Sequence, residues 1–436
     1  MTIAVIARRR KPPKQSPRVA ARLLRGLCPL AMTAFPCIAN AQSSPWLRLG
    51  ANGVLLYTYA DPVPRNRDLA EVRLVQPAIM VHGGAFGNRL RFLGTLDLEG
   101  LTIPNGELTP GTWGEGFVDR RHPHTYLHEL MLTGEQVLGE RPGGVRVSLS
   151  FGKGFAPFGT DDPMSRPIVR YPVNHHLAQI LERAVVIAGM SAGPFILEGG
   201  LFNGDEPERP GGWPRLSRFG DSWAGRLTVL PVGRLELQGS YANVHSPEHR
   251  QGSGTDQHKA SVSARLNGAL GAQQVYGLAE WARTSEAEGA LKFHSLLAEG
   301  AWSRGISRLY YRYERTERPE EQRTLSPFRS IRPHFENSIQ GITLWTIHTA
   351  GYGFRVTSPK LRLTGLPFAE VSYGRVTSVG GGLFDPRTFY GKTSFWALSM
   401  GVRLTMGMPM HRMGHYGVAQ DTAATNEAAQ DVHHDH

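Results

Sequence analysis

Between residues 156 and 179 the chain gathers Asp161, Asp162, Arg166, Arg170, His175 and His176. Acids and guanidiniums at that density can act without covalent chemistry, by setting opposite charges across a gap and orienting a polar solute between them. A second group lies near the C-terminus. There Met406, Met408, Met410, His411, Met413 and His415 precede a polar linker and then His433, His434 and His436. Thioether and imidazole ligands suit Cu(I) and similarly soft ions; the competing reading is an unstructured tail in which Met and His are incidental. A third group, Arg120-Arg121-His122-Pro123-His124, is a small basic cluster suited to phosphate groups such as those of lipopolysaccharide, or simply to solubility.

Covalent catalysis is the different-class alternative. A hydrolase would use a Ser or Asp nucleophile system with a positioned imidazole, and His122, His124, His175 and His176 lie beside acids. The sequence has no His-Glu-x-x-His and no phosphate-binding glycine loop, and its one Gly-x-Ser-x-Gly match, Gly189-Met190-Ser191-Ala192-Gly193, runs into a short connection between two expected strands instead of a strand-to-helix turn. A soluble exported β-protein that only binds a partner is a third reading.

The elements that must position these residues are strands. In His258 to Arg283, Ala260, Val262, Ala264 and Leu266 alternate with Lys259, Ser261, Ser263, Arg265 and Asn267. A Gly-rich turn follows, and a second arm puts Val275, Gly277, Ala279 and Trp281 opposite Gln274, Tyr276 and Glu280. Period-two alternation with one apolar and one charged face places a strand between two unlike environments. The pattern recurs along the chain and predicts sixteen strands near 46–58, 71–83, 88–99, 126–138, 145–155, 180–190, 194–203, 221–230, 234–244, 258–268, 273–284, 293–302, 306–315, 341–356, 361–376 and 393–406. Short connections alternate with long polar ones, which predicts an all-β transmembrane antiparallel barrel with short periplasmic turns and long outer loops. The sixth and fourteenth strands alternate poorly. Tyr57, Trp223, Tyr241, Trp281, Tyr313, Trp345, Tyr373 and Trp396 are expected to form an aromatic girdle toward the outer ends, with Trp302 at the other end.

The N-terminus reads as a cleaved signal peptide over 1–41. Eight basic residues and no acid precede the apolar stretch LCPLAMTAFPCIA, and Ala39-Asn40-Ala41 supplies small-x-small. Without that segment the formal charge falls from +11 to +3 (11 minus 8), so the basic balance is no argument for nucleic acid. Both cysteines, Cys28 and Cys37, lie in it, which leaves no disulfide, Cys-ligated zinc or thiol nucleophile downstream. The expected organisation is therefore signal peptide (1–41), barrel (42–406) and a disordered periplasmic Met/His-containing tail (407–436).

Taken together, the chain resembles the general-porin class of Gram-negative outer-membrane proteins. Gly152-Lys153-Gly154-Phe155-Ala156-Pro157-Phe158-Gly159 is similar to a strand-end motif of porins related to the phosphate-selective type. Ser399-x-Gly401-x-x-Leu404-x-Met406 is similar to the class's assembly signal, although that signal usually ends the chain on Phe or Trp. The resemblance implies a water-filled passive diffusion channel for small polar or charged solutes, with no cofactor. It also implies contact with outer-membrane lipid and the barrel-assembly machinery, and is compatible with a homotrimer. It makes 156–179 the third outer loop, folded inward, with Asp161, Asp162, Arg166 and Arg170 as the constriction. Expected lumen arginines are Arg89, Arg91, Arg146, Arg226, Arg234, Arg265, Arg308 and Arg312; expected lumen acids include Asp97, Glu99, Glu129, Glu135, Glu198, Glu236, Glu280 and Glu314. Nearly equal numbers of both signs favour neither anions nor cations.

Overall fold

A computed structural model describes residues 46–63, 67–102, 124–138, 144–207, 209–247, 251–321, 339–380 and 382–420. The expected signal segment, Arg120 to Pro123, and His433, His434 and His436 lie outside the described residues, as does the side chain of His176. The strands are β1 (Leu47–Val63), β2 (Arg67–Ala85), β3 (Leu90–Asp97), β4 (Leu127–Leu138), β5 (Val145–Gly154), β6 (Arg183–Ala192), β7 (Phe195–Phe202), β8 (Ser222–Val232), β9 (Leu235–Val244), β10 (Gln257–Leu270), β11 (Gln273–Glu286), β12 (Leu291–Arg304), β13 (Ser307–Glu321), β14 (Ile339–Phe354), β15 (Val356–Ser358), β16 (Leu363–Val379) and β17 (Ser394–Gly407).

Every sequential pair is antiparallel, and β1 pairs with both β2 and β17, so that Leu56 faces Arg73 on one side and Gly401 on the other. The sheet thus closes on itself and has no free edge. Sixteen strands form the wall and match the sixteen expected; among the described residues β15, three residues in the turn after β14, is the one strand the sequence did not announce. Among the described residues three one-turn α-helices decorate the connections: α1 (Glu99–Thr102), α2 (His175–Ala178) and α3 (Pro386–Tyr390).

The two faces of the wall are inverted relative to a soluble barrel. Leu149, Phe151, Leu197, Leu201, Leu227, Leu296, Leu309, Met400 and Leu404 point outward and are exposed, while Glu198, Arg226, Glu236, Glu280, Glu299, Arg312 and Glu314 point inward and are buried. Tyr57, Trp223, Tyr241, Trp281 and Trp396 stand on the outer face as expected.

Trp345 does not. It is fully buried on the inner face, stacked on Phe395 with ring centroids 5.6 Å apart. Its neighbours Thr343, Ile347 and Thr349 fix the parity of β14, which the weak alternation of that segment concealed. Arg89 and Arg234 are also corrected. Both sit at short turns, one residue before β3 and β9 begin, and are exposed rather than lining the lumen. Glu99 begins α1 beyond the end of β3 and is not a wall residue.

The largest correction concerns the C-terminal segment. Residues 408–420 turn back and pack inside the barrel, where Met413, Tyr416, Val418 and Ala419 are buried. The reading of a disordered tail fails over this stretch because the barrel offers it an apolar bed. Leu93, Met131, Val185 and Ile187 from the wall join Phe155, Phe158 and Tyr171 from the infolded connection, with Met413 and Tyr416 closing the cluster. Small wall residues make the room. A Cβ on Gly154 would lie 2.5 Å from the Tyr416 hydroxyl, and one on Gly189 would lie 2.9 Å from Val418. Residues 421–436 lie outside the described part of the chain.

Candidate functional site

The interior is occupied by two segments of unlike origin. Connection 155–182 leaves β5 through the Gly152–Gly159 motif and folds inward, as expected. It crosses to the opposite wall, which holds it by its backbone: Val169 N donates to Glu370 Oε1 (3.2 Å), Val173 N to Glu314 Oε2 (2.6 Å), and Arg312 Nη1 to the Arg170 carbonyl (2.6 Å). Wall carboxylates that accept from loop amides make charge-assisted hydrogen bonds, and these help to order the loop.

Arg166 is the centre of this crossing. It is buried, its Nε donates to the Asp161 carbonyl (3.0 Å), and its guanidinium lies 3.9 Å from both Glu280 and Glu299. Burial works against its charge, but Glu299 and Glu280 raise its pKa above the ordinary arginine value. Arg170 donates from Nη1 to Thr349 Oγ1 (3.1 Å). Asp162 caps the single turn 163–165 by accepting from Met164 N (2.7 Å) and faces His175 Nε2 at 3.5 Å. Burial raises its carboxyl, but His175 more than offsets this and brings it down to about 2.

At the base of the loop Glu182 joins three partners, accepting from Thr125 N (2.9 Å), lying 2.6 Å from His128 Nδ1 and 3.8 Å from Lys153 Nζ. Burial opposes its ionisation, yet His128 and Lys153 hold it at about 2.

The C-terminal segment supplies the other half. Arg412 donates from Nη1 to Glu236 Oε2 (2.8 Å) and from Nε to Asp161 Oδ1 (2.7 Å), so it clamps the wall and the loop together. Arg265 approaches Asp161 from the wall at 3.4 Å. Burial would raise the Asp161 carboxyl; Arg412 and Arg265 lower it well below the carboxylate range. Arg226 pairs with Glu198 (2.6 and 2.8 Å) and donates to the Gly414 carbonyl (2.9 Å). Tyr416 donates to Glu129 Oε1 (2.7 Å) and accepts from Phe155 N (3.0 Å). Arg91 reaches both Glu135 and the Gly417 carbonyl, and Arg146 pairs with the same Glu135.

The expected constriction residues Asp161, Asp162, Arg166 and Arg170 are therefore all inside the barrel, together with Arg91, Arg146, Arg226, Arg265, Arg312, Glu236 and Glu314. Arg308 is half-buried and donates to Ser303 Oγ (3.1 Å). Arg412, Glu299 and Glu370 were not anticipated as lumen residues. Glu299 shares a face with Leu297 and Ala301, which disguised it as an outward position, and Arg412 lay in a segment read as tail.

The five residues expected as soft-metal ligands take different partners. His411 lies between His82 (3.3 Å) and Glu129 (2.8 Å), His415 faces Gln238 (3.1 Å), Met413 is in the apolar cluster with Met410 against it, and Met408 N donates to the Leu49 carbonyl.

No protein-family model matches this sequence, and no curated protein matches it. Solved structures with a similar fold include outer-membrane proteins, porins among them. An anion-selective porin from Comamonas acidovorans is 12% identical, with 83% of this chain and 99% of that chain covered and a TM-score of 0.48. The Salmonella typhi OmpF complex with daunomycin is 11% identical, covering 83% and 97%, at 0.46. Pseudomonas aeruginosa OccK9 is 11% identical, covering 83% and 98%, at 0.38. Identities this low carry no solute or selectivity from those proteins to this barrel.

What the barrel can do follows from its own residues. Fixed charges of both signs line an interior that the loop and the C-terminal segment fill. Asp161, Glu280, Arg226 and Arg312 are each below 5% exposed, whereas charges facing an unobstructed water column would be wetted.

Proposed function

We propose that the chain is an outer-membrane channel of the porin type for small polar or charged solutes, and that its C-terminal segment plugs the lumen at rest. The observation that carries the membrane reading is the inverted wall. A closed belt of exposed Leu, Phe, Val and Trp side chains around a charged interior is stable where the surroundings are hydrocarbon. Most strands have the ten or so residues a tilted crossing requires. Export through the basic N-terminal segment, cleavage after Ala41, contact with lipopolysaccharide and assembly as a homotrimer belong to this reading.

The plug follows from the Arg412 clamp. Loop and wall charges that would orient a solute are satisfied by one another and by the segment, so passage requires 408–420 to leave its seat. Asp161 and Glu236 would then lose Arg412, and the Arg226–Glu198 pair would lose the Gly414 carbonyl, leaving charges of both signs to set a field across the opening. No covalent step or bound cofactor enters this mechanism.

Single-channel recording in a planar bilayer tests it. The refolded chain should give rare or small steps, and a chain ending at Gly407 should give larger and more frequent ones. A folded, inserted chain ending at Gly407 that gives no steps would overturn the channel reading.

A further inference from the structure

Outside the lumen clamp, one largely buried group among the described residues brings an imidazole nitrogen to two carboxylate oxygens. Asp97 ends β3, Glu99 begins α1, and His124 returns from the other end of the same outer connection. Each carboxylate commits one oxygen to a backbone amide. Asp97 Oδ1 accepts from Glu99 N (2.9 Å), and Glu99 Oε1 accepts from Gln76 N (3.3 Å). The two remaining oxygens both face His124 Nδ1, Asp97 Oδ2 at 3.3 Å and Glu99 Oε2 at 3.4 Å. Neither approach has hydrogen-bond geometry: His124 Nδ1 and Asp97 Oδ2 are out of water's reach and without a hydrogen-bond partner.

We propose that Asp97, Glu99 and His124 supply three ligands of a tetrahedral binding site for a divalent cation of the zinc type. Ligand atoms about 2.0–2.1 Å from such an ion stand about 3.3–3.4 Å apart along the edges of the tetrahedron. Those are the separations found from Nδ1 to both oxygens, and all three ligand atoms lie within 4.8 Å of one another. One imidazole nitrogen with two carboxylate oxygens suits a borderline ion better than the soft Cu(I) expected of the Met/His segment. The amides of Glu99 and Gln76 orient the ligating carboxylates from behind, as outer partners do in metal sites. The His124 and Glu99 side chains remain 13% and 12% exposed, which leaves an entry path.

The site also has a structural consequence. The His124 ring lies 5.9 Å from Tyr171 and 5.8 Å edge-on from His175, both on the infolded connection. A cation held there would pin the end of the outer connection against the segment that crosses the lumen.

The test uses Co2+ as a visible probe, titrated at neutral pH into the refolded full chain carrying His433→Ala, His434→Ala and His436→Ala. Expected is one saturable, intense four-coordinate band, displaced by Zn2+ and absent in His124→Ala protein that still shows heat-shifted gel mobility. Should His124→Ala fail to fold, Glu99→Gln keeps the packing, removes the ligating charge and should weaken the band at least tenfold. No band in the parent chain, a weak six-coordinate spectrum, or an undiminished band in a folded ligand variant would overturn the site. The last result would assign the imidazole to a protonated pair with the two carboxylates.

Discussion

Asp161 of the infolded connection and Arg412 of the C-terminal segment meet inside the barrel, Nε to Oδ1 2.7 Å, although 251 positions separate them in the chain. Both are buried, and Glu236 completes the clamp from β9. Breaking a buried pair from one side costs about 3–5 kcal/mol, since the partners left behind are charges without water. Arg412→Ala should therefore release 408–420 while the wall, which Arg412 does not help to pair, stays closed. Single-channel recording should show open time rising by at least an order of magnitude. Unchanged conductance in folded Arg412→Ala protein would sink the plug.

The parity of β14 makes a second prediction. Trp345 is stacked on Phe395 and donates to Thr343 Oγ1 (3.0 Å) inside the barrel, whereas Trp396 is 56% exposed on the outer face. Trp345→Ala removes a packed ring and should cost about 3–5 kcal/mol. Trp396→Ala in detergent should change stability by about 0.5 kcal/mol or less. The temperature at which the folded band gives way on a gel orders the two variants; the reverse order would mean that the register of β14 is wrong by one residue.

The wall was legible because a strand between hydrocarbon and charge must alternate, and Leu235, Leu237 and Tyr241 against Glu236, Gln238 and Ser240 leave no other reading. Where alternation faded, the cause was what fills the lumen, the C-terminal segment and the infolded connection beside β6, and Val173 of that connection beside β14. β6 turns Val185 and Ile187 inward because they meet an apolar bed instead of water, so its two faces look alike in sequence. β14 does the same through Trp345 and Ile347. Inward apolar residues in a barrel wall were therefore a trace of something filling the lumen. The Asp97, Glu99 and His124 group was hidden for another reason. His124 was grouped with Arg120 and Arg121 by adjacency, and only the fold brings it to two carboxylates across its own connection.

Proton uptake should also release the segment. His415 lies buried against Gln238 from β9, with Arg226 from β8, Arg265 from β10, Asp161 from the infolded connection and its own neighbour Arg412 around it. Burial lowers its pKa well below the ordinary histidine value, and Arg226 and Arg412 lower it further. A depressed imidazole stabilises the seated state fully above the free-histidine range, about pH 6.5. That contribution is lost as pH falls below it, by up to about tenfold in the seated-to-released ratio per pH unit. Asp161 does not cancel the effect, because its pKa is lowered too and it stays ionised across that window. Open fraction or protease access to 408–420 should rise on acidification, and His415→Gln should flatten the profile. An equally steep profile in that variant would assign the dependence elsewhere.

The seat can be tested from the wall side as well. Gly189 of β6 faces inward, and a Cβ there would stand 2.9 Å from Val418 Cγ2 and 2.8 Å from Ser148 Oγ, the hydroxyl that accepts from Val418 N. Valine suits a strand, so Gly189→Val should leave barrel formation intact. Its side chain takes space the segment needs, an overpacking of about 1–3 kcal/mol. The variant should open the channel without touching a charge, and less completely than Arg412→Ala. Combining the two decides whether they report one event. If each acts by unseating 408–420, the double variant should conduct no more than the chain ending at Gly407. A larger current in the double variant would mean that the infolded connection moves as well, and that the segment is one of two gates.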